Sequence, residues 1–237
     1  MGDYRRQVPE GVADILADEC AVKREAEAAV RGVFLGHGLR EVCTPAFEYL
    51  DVFSTGQAVL EQEQMFKLTD PKGRILVIRP DITIPIARMA ATNMKGEPKP
   101  HKLFYISEVF RVNGNGADGL REFTQAGVEM IGIPGVEADG ECISIAIQAM
   151  KTAGIEDFRI DIGQVEFLES IIDEINISGE DKESLRHYIK HKNLVAVEEF
   201  LDKKKVNGKL KELLLLIPVL YGNAAEVLRR AGEFPLN

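Results

Sequence analysis

No pair of cysteines in the 237 residues is spaced CxxC, no apolar run is long enough to cross a bilayer, and no glycine-rich phosphate loop is spelled out. The three cysteines, Cys20, Cys43 and Cys142, are scattered and odd in number. That usage points to reduced thiols and argues against a disulfide framework or a cysteine zinc site. The longest apolar stretch, Leu213 to Leu220, falls well short of the roughly 20 residues a membrane helix needs. The opening MGDYRRQVPEG lacks the apolar core of a signal peptide, so a soluble cytoplasmic protein is expected. Positive charge is in deficit: 29 Lys+Arg against 38 Asp+Glu leave a net charge of −9. Such a chain is not built for non-specific binding to nucleic acid or membrane, although a local basic groove stays open. What is present is core-forming material. Hydrophobic residues make up 45% of the chain, enough for one or two domains.

Residues 1–164 mix strand and helix patterns. A helix is expected over Asp18 to Leu35, ended by Gly36-His37-Gly38, and LREVCTP reads as a short strand closed by Pro45. Met65–Arg79 reads as a hairpin turning at Pro71-Lys72-Gly73. Helical spacing returns over Thr83 to Met94 and over Val136 to Ala153, and FRIDIG (158–163) reads as a further strand. Neighbouring hairpins with separate helices predict an α+β fold on an antiparallel sheet. Residues 165–237 show only helical spacing, with breaks at Ser178-Gly179, Asn193, Asn207-Gly208 and Gly222-Asn223. A small helical domain or insertion is expected there.

The stretch 105–132, YISEVFRVNGNGADGLREFTQAGVEMIG, holds two strand-like runs joined by a glycine-rich tip. With a period of two, Arg121, Phe123, Gln125, Gly127 and Glu129 share one face of the second run. Thr124, Ala126, Val128 and Met130 share the other, which suits packing against helices. Unpaired buried charge is costly, so the polar face should serve itself, water or a ligand. Arg79-Pro80-Asp81-Ile82-Thr83 has two readings that remain open. Asp81 or Thr83 can cap the helix that follows. Alternatively Asp81 joins Arg111, Gln125 and Glu129 in a zwitterion pocket, the acids taking an ammonium group and Arg111 a carboxylate. Other motifs are weaker. His187 and His191 have metal-compatible spacing without further ligands, so a solvated basic helix face is the better reading. Gly114-Asn115-Gly116 is read as a hairpin tip, because no phosphate-loop pattern surrounds it. No Ser–His–Asp signature occurs, and neither a metal nor a cofactor is implied.

These motifs, in this order, resemble the class II aminoacyl-tRNA synthetase fold in its histidyl-tRNA synthetase branch. VPEGVADIL resembles that branch's opening segment. EVCTPAFEYLDVF resembles the dimer-forming motif 1 with its proline. QMFKLTDPKGRILVIRPDIT resembles the hairpin and histidine-contacting turn, and LFYISEVFRVNGNGADGLREFTQAGVEMIG resembles motif 2. The likeness covers residues 5–164. It implies that Asp81 and Thr83 contact the amino group of histidine, that Arg111 is the motif 2 arginine, and that Gln125 and Glu129 line the pocket.

The departures point to one part of the family. Synthetases carry a glutamate and two arginines in the motif 2 loop for ATP and the tRNA end, where this chain has Asn113, Gly114, Asn115, Gly116, Ala117, Asp118 and Gly119. A loop without a cation is poorly suited to triphosphate charge. Asp81 stands where the synthetases have glutamate. Both features resemble the synthetase-like regulatory subunits of ATP phosphoribosyltransferase, which do not charge tRNA and act with a separate catalytic subunit in the first step of histidine biosynthesis. The resemblance implies a catalytically silent regulatory chain with histidine as allosteric effector, homodimeric through motif 1 within a hetero-oligomer. The alternative is a histidyl-tRNA synthetase that ligates histidine to its tRNA with ATP. A protein with a vestigial pocket, indifferent to histidine, is a third class. No motif 3 segment precedes Asn237, so the chain is expected to be truncated within or just after the helical insertion.

Overall fold

The computed structural model describes residues 4–54, 62–115, 119–206 and 208–233. Residues 116–118 of the motif 2-like loop lie outside the described residues. The chain divides into two compact units, Met1–Phe158 and Arg159–Asn237.

The first unit opens its regular structure with α1 (Ala17–Gly36). Gly38 then turns the chain in the left-handed region at φ 75, which an L side chain rarely adopts. This delivers β1 (Arg40–Glu41) to the edge of a three-stranded sheet. There β1 pairs in parallel with β5 (His101–Asn115), and β5 pairs antiparallel with β6 (Leu120–Ile131). The parallel edge departs from the all-antiparallel sheet expected from the hairpins. Some 60 residues separate the two strands, and a long crossover is what lets two strands run parallel. A second sheet, wholly antiparallel, takes the order β2 (Phe47–Tyr49), β4 (Ile75–Ile78), β3 (Lys67–Thr69). Its β3–β4 turn is closed by Asp70, whose carboxylate accepts from the amides of Lys72 at 2.8 Å and Arg74 at 2.9 Å. Three helices complete the unit: α2 (Leu50–Phe53), α3 (Thr83–Thr92) and α4 (Val136–Thr152).

The period-two reading of β6 holds in space. Val128 and Met130 pack with Phe104 and Ile106 against Phe34 and Leu39 of the α1 region and Ile145 of α4. The opposite face sets Leu103, Tyr105, Val109 and Phe123 against Ile82 and Ile86. The polar residues of β6 therefore lie on the side that α3 only partly covers. Arg79, 9% exposed, joins the two sheets. Its Nε donates to the Glu108 carbonyl at 2.8 Å and its Nη1 to the Thr44 carbonyl at 2.6 Å. The Phe110 amide donates back to the Arg79 carbonyl at 3.1 Å.

FRIDIG (158–163) forms no strand. Its alternating Ile160 and Ile162 are 37% and 74% exposed, and no neighbouring strand among the described residues satisfies its backbone. An alternating pattern becomes a strand only when a neighbour supplies the ladder.

The second unit is helical: α5 (Val165–Asp173), α6 (Gly179–Lys190), α7 (Leu194–Lys203), α8 (Lys209–Leu216) and α9 (Ala224–Ala231). Its core gathers Ile171, Ile172, Leu185, Val197, Leu201 and Leu214, each with no exposed surface. The breaks read from the sequence are the helix starts. Ser178, Asn193 and Asn223 accept from the amides of Asp181, Ala196 and Ala225 at 3.2, 3.1 and 3.0 Å. Such side-chain caps satisfy amides that a helix leaves free at its first turn.

Candidate functional site

Asp81 stands between β4 and α3, and both of its oxygens are used. Oδ1 accepts from the Thr83 amide at 2.8 Å, and Oδ2 accepts from Gln125 Nε2 at 3.3 Å. The two readings of this residue are thus compatible: one oxygen starts α3 and the other reaches β6. Gln125 Nε2 also lies 3.1 Å from the hydroxyl of Tyr105 on β5, while Gln125 Oε1 is buried without a partner. Glu129 lies two strand positions beyond Gly127 on the same face. Burial pushes its carboxyl above the usual range; the Thr83 side-chain hydrogen bond opposes this and the Asp81 charge adds to it. Asp81, Thr83, Gln125 and Glu129 therefore converge on one region of the fold.

Arg111 reaches the same turn from another direction. It leaves β5 where the β5–β6 register becomes irregular, between Phe110 and Asn115. An irregular ladder re-aims a side chain that regular pleating would hold on one face. Its Nε donates to the Pro80 carbonyl at 3.0 Å, and its guanidinium carbon sits 5.2 Å from the centre of the Phe123 ring. One edge of the guanidinium is thereby anchored and its plane held against an aromatic face. Together the groups offer carboxylates and a carbonyl for an ammonium, and a fixed guanidinium near the adjoining turn.

Tyr105 was not among the residues singled out from the sequence. It is 3% exposed, and burial followed by the nearby Asp81 charge pushes its phenol up to about 12. It stands directly opposite Gly127 across the ladder. A Cβ on Gly127 would overlap the Tyr105 hydroxyl, so glycine is required there by close approach. A hairpin register places tyrosine against glycine, and that pairing is the signal that could have found it.

A surface cavity lies elsewhere. It has a volume of about 620 Å³ and is lined by residues including Val42, Thr44, Met89, Met94 and Leu103. Charges at its rim are paired, Arg31 with Glu41 at 3.0 Å and Arg88 with Glu48 at 2.6 Å. Thr44 Oγ1 at this cavity is buried without a partner, as is Gln125 Oε1 in the polar cluster; only the cluster sets such an acceptor beside carboxylates.

His187 and His191 stack with ring centres 4.2 Å apart, and His191 Nδ1 lies 2.8 Å from the His187 carbonyl. Among the described residues no group of three or more His, Cys, Asp or Glu side chains is placed to hold a metal. No described helix is long and apolar enough to cross a membrane.

A family model described as histidyl-tRNA synthetase matches residues 11–237. The chain belongs to the histidyl-tRNA synthetase family. Within the family it is similar to the ATP phosphoribosyltransferase regulatory subunit of Acetivibrio thermocellus, at 45% identity over all of this chain and 56% of that relative. It is likewise similar to the protein of the same description from Ruminiclostridium cellulolyticum, at 44% identity over all of this chain and 56% of the relative. The chain thus spans little more than half the length of these curated relatives. A crystal structure described as an ATP phosphoribosyltransferase regulatory subunit/histidyl-tRNA synthetase from Bacillus halodurans superposes with a TM-score of 0.87 at 30% identity. The match covers 99% of this chain and 61% of that one. The fold is accordingly the α+β class II synthetase-like fold.

Proposed function

We propose that this chain is the histidine-sensing part of an ATP phosphoribosyltransferase regulatory subunit, a catalytically silent paralogue of histidyl-tRNA synthetase. Its partner would be a separate catalytic phosphoribosyltransferase subunit, and its role would lie in the first step of histidine biosynthesis. Residues 1–164 would be the synthetase-like core, dimeric through the motif 1-like segment, and 165–237 the helical insertion. Asp81, Thr83, Gln125 and Glu129 would take the α-amino end of histidine, and Arg111 its carboxylate.

One observation carries the reading. An amino-acid-type cluster is kept intact while the adjoining loop, Asn113 to Gly119, contains no cation. ATP activation needs preorganised positive charge where negative charge develops. A pocket without that charge can bind an amino acid and has no means of activating it. Relatives described as regulatory subunits support the same conclusion.

Feedback control then requires histidine to bind the active and inhibited states of the assembly with different affinity. The test is to reconstitute the intact protein with a catalytic phosphoribosyltransferase subunit and titrate histidine. Histidine binding by calorimetry, histidine-dependent loss of phosphoribosyl transfer and absence of histidine-dependent pyrophosphate exchange are the expected results. Robust exchange would instead make the chain a synthetase.

A further inference from the structure

We propose that Tyr105 is a positioning residue of this site: it holds the Gln125 amide so that the carbonyl oxygen faces an incoming primary ammonium. The inference rests on the amino-acid-pocket reading above and deepens it.

A glutamine amide has two N–H donors and one carbonyl acceptor. Here the donor end faces two oxygens, Tyr105 Oη at 3.1 Å and Asp81 Oδ2 at 3.3 Å. The acceptor end, Oε1, is buried and has no partner. A buried carbonyl without a donor is costly, and this one can take a donor brought by a ligand. Turning the amide over would set its oxygen against the Asp81 carboxylate, two acceptors in contact, and would present N–H groups to the ligand. The Asp81 carboxylate opposes that turn, and the Tyr105 hydroxyl fixes where the amide head lies beside it.

Tyr105 itself does not reach a ligand. It is 3% exposed, and its hydroxyl is occupied by Thr83 and Gln125. It gains its place from Gly127, since any side chain there would collide with the hydroxyl. Held neutral by burial and by the Asp81 charge, the phenol remains a hydroxyl at all ordinary pH. The consequence is chemical selectivity. Gln125 Oε1 is an unmet acceptor, and the Asp81 and Glu129 carboxylates beside it have further lone pairs to share, which together favour a ligand with several N–H donors on one nitrogen. An alcohol or a des-amino acid cannot satisfy them all.

The experiment is a double-mutant cycle on the intact protein, read by calorimetry with histidine. Tyr105→Phe keeps the ring and removes only the hydroxyl. It should weaken histidine about tenfold, the size expected for one hydrogen bond that orders a buried acceptor. Gln125→Ala should weaken histidine by at least as much, and adding Tyr105→Phe to it should change nothing further. Gly127→Ala, which displaces the hydroxyl, should reproduce the Tyr105→Phe loss. Unchanged affinity in Tyr105→Phe, or a full additional loss in the Gln125→Ala background, overturns the positioning role. Absence of histidine binding by the unmutated protein overturns the pocket reading itself, and this proposal with it.

Discussion

Asp81 accepts one hydrogen bond from the Thr83 amide and another from Gln125, so a substitution can separate its two tasks. Asp81→Asn retains an acceptor for the helix start and should hold stability within about 0.5 kcal/mol, because Asn and Asp are comparable caps. Asp81→Ala removes the acceptor and should cost about 1 kcal/mol in urea unfolding. Both should lose most histidine affinity, since neither carries the charge that an ammonium requires. Equal binding by Asp81→Asn and the parent would reduce the residue to a helix cap. Glu129 gives a pH signature. Its carboxyl is pushed up in the folded protein, first by burial. A raised acid stabilises the fold below its unfolded value, near 4.5, and that contribution is lost as pH rises through the folded value. Thermal unfolding should therefore show Glu129→Gln gaining on the parent from pH 4.5 towards neutrality. A constant gap across that range would contradict the buried carboxyl.

The element that holds the site in register is the strand pair β5–β6 with the β4–α3 connection laid against it. Arg79 secures that connection by donating to two main-chain carbonyls from a nearly buried position. Replacing it with Met fills similar volume and leaves both carbonyls without their donor. Charge-assisted bonds of this kind are worth about 1.5–3 kcal/mol each, so Arg79→Met should lose about 3 kcal/mol or more in chemical denaturation. A loss below about 1 kcal/mol would mean that the joint is carried by the surrounding apolar contacts instead. At this scale much was legible. The helices at Asp18–Leu35, Thr83–Met94 and Val136–Ala153 were readable because their apolar spacing and glycine stops are local signals. The two faces of β6 followed from period two alone. The FRIDIG strand was misread for the complementary reason: a strand depends on a partner that its own residues do not specify.

Across the whole molecule, the hydrophobic cores of the two units are built differently. The first unit packs helices on a sheet, whereas the second packs helices on helices around Leu185, Val197, Leu201 and Leu214. Leu214→Ala should destabilise the second unit by about 2–5 kcal/mol, the cost of a buried cavity. Amide exchange should then accelerate in residues 165–231 before it does in β5 and β6; uniform acceleration would mean a single cooperative unit. The amino-acid sequence by itself determined the main helices, the polar face of β6 and the cation-free loop, because these depend on periodicity and residue identity. It also carried the family resemblance that the 45%-identical relative bears out. Only the tertiary structure decided that Asp81 serves helix and cluster together, that Arg111 is anchored on Pro80, and that Tyr105 stands over Gly127. Those facts depend on the register of two strands and the approach of a third segment from some 25–45 positions away. Local propensity is blind at that range, where sheet pairing and core packing make the choice.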